Sequence, residues 1–258
     1  MNTTIITGAS SGIGAAFARK LAARGRNVLL VARSEDKLIT LCNELGRLSG
    51  IRAQYFTLDL LRPDAAAQLF EETQTRGFVI DMLVNNAGFG SMGEFVKLDV
   101  ARELEMIDLN VKALVDLTYR FLKPMRDRGQ GTIINVASTA SFQAVPYMAT
   151  YAATKAFVLS FSEALWEENR EHGVHVMALC PGVTDTNFFS ASRMDRPPLR
   201  TIETPEEVVD TALRALAHRK ASAISGWTNW FQVEAERFVP RSVVIKIAGK
   251  ALRSRFEE

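Results

Sequence analysis

The sequence predicts an α/β protein built as a doubly wound parallel sheet of about seven strands, with helices on both faces and a helical tail at the C-terminal end. Three observations predict it. Short β-branched runs alternate with segments of helical period six times before residue 183. A glycine-rich turn sits between the first run and the first helical segment. Gly8, Arg33, Asp59, Asn85, Ser138 and Pro181 each follow directly from a predicted strand, and strand ends in such sheets face the ligand crevice.

Taken in order, Thr3 to Thr7 is a β-branched strand. Gly8-Ala9-Ser10-Ser11-Gly12-Ile13-Gly14 follows, opening a helix to about Arg24 with Ile13, Phe17 and Leu21 on one face and Gly25 at its C-cap. Asn27 to Ala32 is the second strand, which completes a βαβ unit. Ser34 is expected to cap a helix running to about Leu48. Arg52 to Leu58 reads as a third strand ending in Asp59-Leu60, and Pro63 to Thr75 as a helix with Pro63 in its first turn. Ile80 to Val84 runs into Asn85-Asn86-Ala87-Gly88. One long helix is expected over Asp99 to Met125, with Asn110 inside it. Thr132 to Ala137 delivers Ser138, Thr150 to about Glu171 is helical, and Val174 to Leu179 leads to Cys180-Pro181-Gly182. A helix over Pro205 to Ala217 and a last strand near Ser222 to Ile224 complete the alternation. Residues 1–258 read as a single domain.

Composition narrows the function. With 31 basic and 29 acidic residues the net charge is +2, which argues against a dedicated nucleic-acid binder. Two cysteines, Cys42 and Cys180, make no disulfide framework, and the N-terminus lacks the pattern of a signal peptide, so a cytoplasmic location is expected. No apolar run approaches the length of a membrane span. His172 and His175 flank Gly173 without further ligand-type neighbours and read as structural; no metal site is expected. Cys180, at a strand end, reads as a packing group.

The glycine turn carries the first chemistry. Gly8 permits the tight turn, Gly12 lets backbone amides approach a pyrophosphate, and Gly14 lets helix and strand pack closely, while the helix N-terminus attracts the anion. The spacing is G-x-x-x-G-x-G. At the end of the second strand the acid that would hold a ribose 2′-hydroxyl is missing; Ala32 stands there and Arg33 follows. An arginine there suits a 2′-phosphate, with hydroxyls from Ser10 or Ser34, so NADP(H) is the expected cofactor.

The second chemistry lies between Ser138 and Lys155. Tyr151 comes thirteen residues after Ser138, and Lys155 four after Tyr151, one turn apart on a helix face. A phenol beside an ammonium can exchange protons near neutral pH if the positive charge draws its pKa down from about 10. A half-buried tyrosine beside a solvated lysine is the plain structural alternative for that pair alone.

Together these features resemble the single-domain short-chain dehydrogenase/reductase family, whose fold is Rossmann-like. The resemblance rests on T-G-A-S-S-G-I-G at Thr7 to Gly14, Asp59, N-N-A-G at Asn85 to Gly88, Asn110, Ser138, Y-A-A-T-K at Tyr151 to Lys155 and P-G-V-T-D-T at Pro181 to Thr186. It implies that Tyr151 is the acid/base, that Lys155 lowers its pKa and holds the nicotinamide ribose, and that Ser138 binds the substrate oxygen. Asn110 would hold a relay water through a local helix distortion. It further implies cofactor contacts from Gly8, Ser10, Ser11, Gly12, Ile13, Gly14, Arg33, Asp59, Leu60, Asn86, Ala87, Gly88, Pro181, Gly182, Val183, Thr184 and Thr186. The expected activity is NADPH-dependent hydride transfer to a ketone or aldehyde, in a homodimer or homotetramer. A dinucleotide-binding regulatory protein without turnover is the alternative, and the intact Asn110, Ser138, Tyr151 and Lys155 weigh against it.

The substrate is less legible. Val183 to Thr204 lacks a firm period and suits a substrate lid. Phe89, Phe142, Met148, Phe188 and Phe189 are candidates for an apolar lining, which would favour 3-oxoacyl, steroid or aromatic ketones. The tail from Trp227 carries Trp230, Phe231 and Phe238. From Val239 onward Val243, Val244, Ile247 and Ala251 share one helical face, and Lys246, Lys250 and Arg253 another. A helix packed on the body or a sister subunit is expected, with a membrane surface as the other reading.

Overall fold

Alternating side chains divide the core. In β1 (Asn2–Thr7) Ile5 and Ile6 are both fully buried but belong to separate clusters on opposite faces of the sheet, as a period of two requires. The same division recurs in β2 (Asn27–Ala32), where Val28 and Leu30 point one way and Leu29 and Val31 the other. A computed structural model describes residues 1–47, 50–186 and 202–253. The remaining strands are β3 (Ala53–Thr57), β4 (Val79–Asn85), β5 (Gly131–Val136), β6 (Val174–Cys180) and β7 (Ser222–Ile224). They form one seven-stranded sheet in the order β3-β2-β1-β4-β5-β6-β7, with every pairing parallel.

One face is covered by α1 (Gly12–Ala22), α2 (Glu35–Leu45) and α7 (Pro205–Ala217), through residues such as Phe17, Leu38 and Val208. The other is covered by α3 (Ala65–Thr75) and α5 (Leu114–Asp127), through Leu69 and Phe121. A third cluster places Val158 and Leu159 of α6 (Ala149–Asn169) against Ala178 and Cys180. The chain leaves β1 toward β2 and β3, then returns to β4 and proceeds the other way. The reversal opens a crevice at the carboxyl ends of β1 and β4, where ligands bind in open α/β sheets.

Several expectations are corrected. Pro63 lies ahead of the helix, whose N-cap is Asp64. Ser34 occupies the N-cap position of α2 but its side chain makes no capping hydrogen bond, and α2 ends at Leu45. The single long helix is instead α4 (Val100–Ile107), a π-helical turn (Asp108–Ala113) and α5. That turn is the local distortion the family resemblance implied, and π-bulges concentrate at functional sites. The tail forms α8 (Trp227–Glu236) and α9 (Arg241–Arg253). Helix α8 buries Val233, whereas α9 buries no residue and rests on the body beside Pro146. Phe188, Phe189 and most of the anticipated lid lie outside the described residues.

Candidate active site

The glycine turn is held by its neighbours. Asn86 Nδ2 donates to the Thr7 carbonyl at 2.9 Å, and the Asn86 and Ala87 N–H groups donate to Thr7 Oγ1 at 2.9 and 3.0 Å. These bonds tie the end of β4 to the end of β1. Gly8 (φ +64°) and Gly12 (φ +54°) adopt left-handed conformations that side chains disfavour. A Cβ at Gly14 would collide with the Gly8 carbonyl oxygen, and one at Gly12 would meet Thr186 Cγ2 at 2.9 Å. The turn, the start of α1 and the segment after β6 therefore converge on one space. The first turn of α1 carries no acidic residue and no side-chain cap, so its positive end is open to an anion. That cradle fits a dinucleotide pyrophosphate.

The ends of β2 and β3 bring Arg33 and Asp59 together at 4.0 Å, with the Arg33 side chain 70% exposed. Asp59 also accepts from the Leu61 N–H at 3.1 Å, which shapes the turn after β3. The Leu60 side chain is buried in the cluster that holds Leu58, Ala65 and Leu69.

At the opposite side of the crevice, β5 ends at Ser138, the N-cap of a 3₁₀ turn (Thr139–Ser141). Ser138 Oγ accepts from the Ala140 N–H at 3.1 Å, and the Thr139 N–H donates to the Pro181 carbonyl at 2.9 Å, which joins this turn to the segment after β6. Ser141 Oγ donates to the Lys155 carbonyl at 2.8 Å, locking the turn onto α6. Tyr151 and Lys155 are both buried, on one face of α6, and the Lys155 ammonium lies 5.9 Å from the Tyr151 ring centre. Burial pushes the Tyr151 hydroxyl up to about 12, against the opposing pull of its hydrogen bond with Ser138. Burial also pulls the Lys155 amine down to about 8. The expected lowering of the Tyr151 pKa by Lys155 is thus not met here. Desolvation is the largest cause of the Tyr151 shift, and Lys155 Nζ donates to the Val136 carbonyl at 2.7 Å.

Asn110 is fully buried in the π turn. Its Nδ2 donates to the Phe89 carbonyl at 2.9 Å and to Thr154 Oγ1 at 3.1 Å, and its Oδ1 accepts from the Phe89 N–H at 3.1 Å. A Cβ at Gly88 would meet Asn110 Oδ1 at 2.7 Å and Lys155 Nζ at 3.6 Å, so the amide, the ammonium and the loop after β4 share one pocket. Ser138, Tyr151, Lys155 and Asn110 are therefore brought together, across the crevice from the glycine turn.

The expected apolar lining fares differently. Phe89 lies under the Arg102 guanidinium, 4.5 Å from its ring centre. Phe142 is half-buried and packs on the core cluster of Leu114, Val158 and Cys180. Met148 is half-buried at the N-cap of α6. A cavity of about 130 Å³ instead separates the Ser138 turn from α8, with Thr139, Gln143, Asn229, Gln232 and Glu236 among its polar walls. Sequence reasoning missed this wall because no pattern links position 143 to positions 229–236. It also missed Tyr147, whose φ of +65° strains the loop leading to Tyr151. Asn229 presses on Gly182, and Glu203 receives Ser225 Oγ at 2.6 Å and Asn229 Nδ2 at 3.2 Å. Burial raises the Glu203 pKa, and the Ser225 hydrogen bond lowers it. As expected, Cys180 is a buried free thiol and His175 bonds the Lys220 carbonyl at 2.8 Å. Among the described residues no cluster could hold a metal.

Fold and site together define a dinucleotide-binding α/β oxidoreductase. The short chain dehydrogenase profile matches residues 2–197, and the chain belongs to that family, whose members act on CH–OH and C=O groups with a nicotinamide cofactor. It is 31% identical over 223 residues to ketoacyl reductase HetN of Nostoc sp., covering 86% of this chain and 77% of that protein. It is 32% identical over 231 residues to the 7beta-hydroxysteroid dehydrogenase of Mediterraneibacter gnavus, covering 87% and 86%. The structure of a short-chain dehydrogenase from Sphingobium yanoikuyae in complex with NADPH superposes with a TM-score of 0.83 at 33% identity, over 92% of this chain and 94% of that one.

Proposed function

We propose that this chain is an NADPH-dependent reductase of hydrophobic ketones, working as one domain in the cytoplasm. The observation that carries the reading is the Ser138–Tyr151 hydroxyl pair, with Lys155 and Asn110 behind it, across the crevice from an anion-binding glycine turn. When bound, the nicotinamide supplies hydride to the carbonyl carbon. This chain's residues handle the charge that develops on the oxygen. Ser138 and Tyr151 donate hydrogen bonds to it, and Tyr151 delivers the proton. A phenol raised to about 12 is fully protonated near neutral pH, which is the form an acid needs for reduction. Lys155, at about 8, is mostly protonated there and can replenish the phenol and hold the nicotinamide ribose. Asn110, anchored by Thr154 and the Phe89 backbone, stands beside Lys155 to position a relay water.

Gly8, Ser10, Ser11, Gly12, Ile13 and Gly14 would cradle the pyrophosphate. Asp59 would meet the adenine, and Pro181 to Thr186 the nicotinamide amide. Arg33 favours NADPH over NADH, because its exposed guanidinium can bind a 2′-phosphate in two places. The NADPH complex of the Sphingobium protein supports that choice. The ketoacyl and steroid relatives support 3-oxoacyl or steroid ketones as substrates, and aromatic ketones are the third class to try. Exposed Val96, Val100, Leu104 and Tyr119 around α4 and α5 support a homodimer or homotetramer. The test is a panel of such ketones with NADPH and NADH, read as loss of reduced-nicotinamide absorbance. Turnover with NADPH on bulky ketones is expected; no oxidation of either cofactor across all three classes would overturn the reading.

A further inference from the structure

We infer that the outer face of the C-terminal pair α8 and α9 docks on an anionic lipid surface. In α8 the inward side is Asn229 and Val233, which touch Gly182 and the cavity beside Ser138. The residues at helical spacing on the other side are Trp227, Trp230 and Phe231, which are 81%, 54% and 66% exposed. Phe238, in the four-residue link to α9, is 88% exposed. In α9 the half-buried positions are Val244, Ala248, Gly249 and Leu252, which follow the body near Pro146. Its outward side presents Val243 and Ile247, the latter 65% exposed. Two tryptophans, two phenylalanines and two aliphatic side chains stand in water along two consecutive helices and their link, more apolar surface than isolated exposed residues explain.

Charge selects the occupant. Helix α9 carries Arg241, Lys246, Lys250 and Arg253 and no acidic residue, in a chain whose net charge is only +2. The acids of α8 do not offset these cations on the outer face: Glu234 pairs with Arg237 at 2.9 Å, and Glu236 lines the inward cavity beside the Ser138 turn. A second copy of this face, paired by two-fold symmetry, would bring these cations against themselves. An anionic bilayer satisfies both halves of the surface, taking the aromatic rings at headgroup depth and the cations at the phosphate plane. Among the described residues no helix can cross a membrane, so the contact is peripheral.

The test uses the full chain with vesicles of phosphatidylcholine alone or mixed with phosphatidylserine. Flotation with the mixed vesicles, a blue shift of tryptophan emission and release by salt are expected. K246Q should weaken binding about fivefold, and K246Q/K250Q about 25-fold. W227S/W230S should abolish the blue shift and most flotation while the melting temperature stays at the parent's value. Absence of flotation at low salt overturns the inference, as does binding that all these variants retain. So does a size-exclusion profile in which W227S/W230S dissolves an oligomer that never floats. None of these readouts depends on the substrate or on turnover.

Discussion

Lys155 is the residue whose replacement separates stability from function. A fall of its pKa from 10.5 to about 8 corresponds to about 3 kcal/mol lost from the folded state while the amine is charged. Methionine has a similar length and no charge. Lys155→Met removes that cost, but it strips the donor from the Val136 carbonyl, which offsets about 1 kcal/mol. The variant should therefore be more stable by about 2 kcal/mol near pH 7, a gain of a kind active sites often conceal. The pH dependence follows from the same shift. Below about pH 8 the amine is protonated in both folded and unfolded chains, and the cost is present in full. Between about 8 and 10.5 the folded chain releases the proton first, and stability rises. Urea unfolding followed by circular dichroism should show the parent gaining about 2 kcal/mol on the variant between about pH 7 and 9.5. Tyr151 acts in the opposite sense, but only above about pH 10, where its unfolded phenol ionises while the folded one, at about 12, does not. Turnover should fall by about 10²-fold or more. A variant less stable than the parent near pH 7, or parallel pH profiles for the two, would refute the argument.

Other outcomes follow from the same geometry. Tyr151→Phe removes the proton donor and one hydrogen bond to the substrate oxygen; kcat should drop by about 10³-fold while NADPH binding, measured by fluorescence titration, stays within about twofold. Arg33→Ala should raise the dissociation constant for NADPH by about 10- to 100-fold and leave that for NADH nearly unchanged; equal losses would count against a 2′-phosphate contact. Gly14→Ala drives a methyl group into the Gly8 carbonyl oxygen, so a melting-temperature loss corresponding to about 1–3 kcal/mol is expected, together with weakened binding of either cofactor.

The fold was legible because each strand is short, β-branched and bracketed by turn residues, and because parallel strands buried on both faces leave near-continuous apolar runs such as Val28 to Val31. The site was legible where chemistry is concentrated in few positions: the glycines at 8, 12 and 14, and the Ser138, Tyr151 and Lys155 set. What escaped depends on space, not on pattern. Helical periodicity runs through Asn110 without interruption and gives one long helix; the family resemblance implied a distortion there, and only the structure gives it the form of a π turn with amide bonds to Phe89 and Thr154. Burial of Tyr151 and Lys155 reverses the expected direction of the tyrosine shift, and spacing alone carries no desolvation. Phe142 reads as a pocket residue because an aromatic in a loop can face either way; in the structure it lies half-buried against the cluster of Leu114 and Val158. Pro63 fits either just inside a helix or just before one, and Asp64 takes the cap.

Asn229 occupies the space that a side chain at position 182 would need, and Glu203 ties it to Ser225 at the end of the sheet. Helix α8 is consequently a wall of the cavity beside the Ser138 turn, not an appendage to it. Shortening the chain there would surface first as altered reactivity, before any loss of the fold. Attempts to redesign substrate choice will have to treat α8 and the Ser138 turn as one adjustable unit.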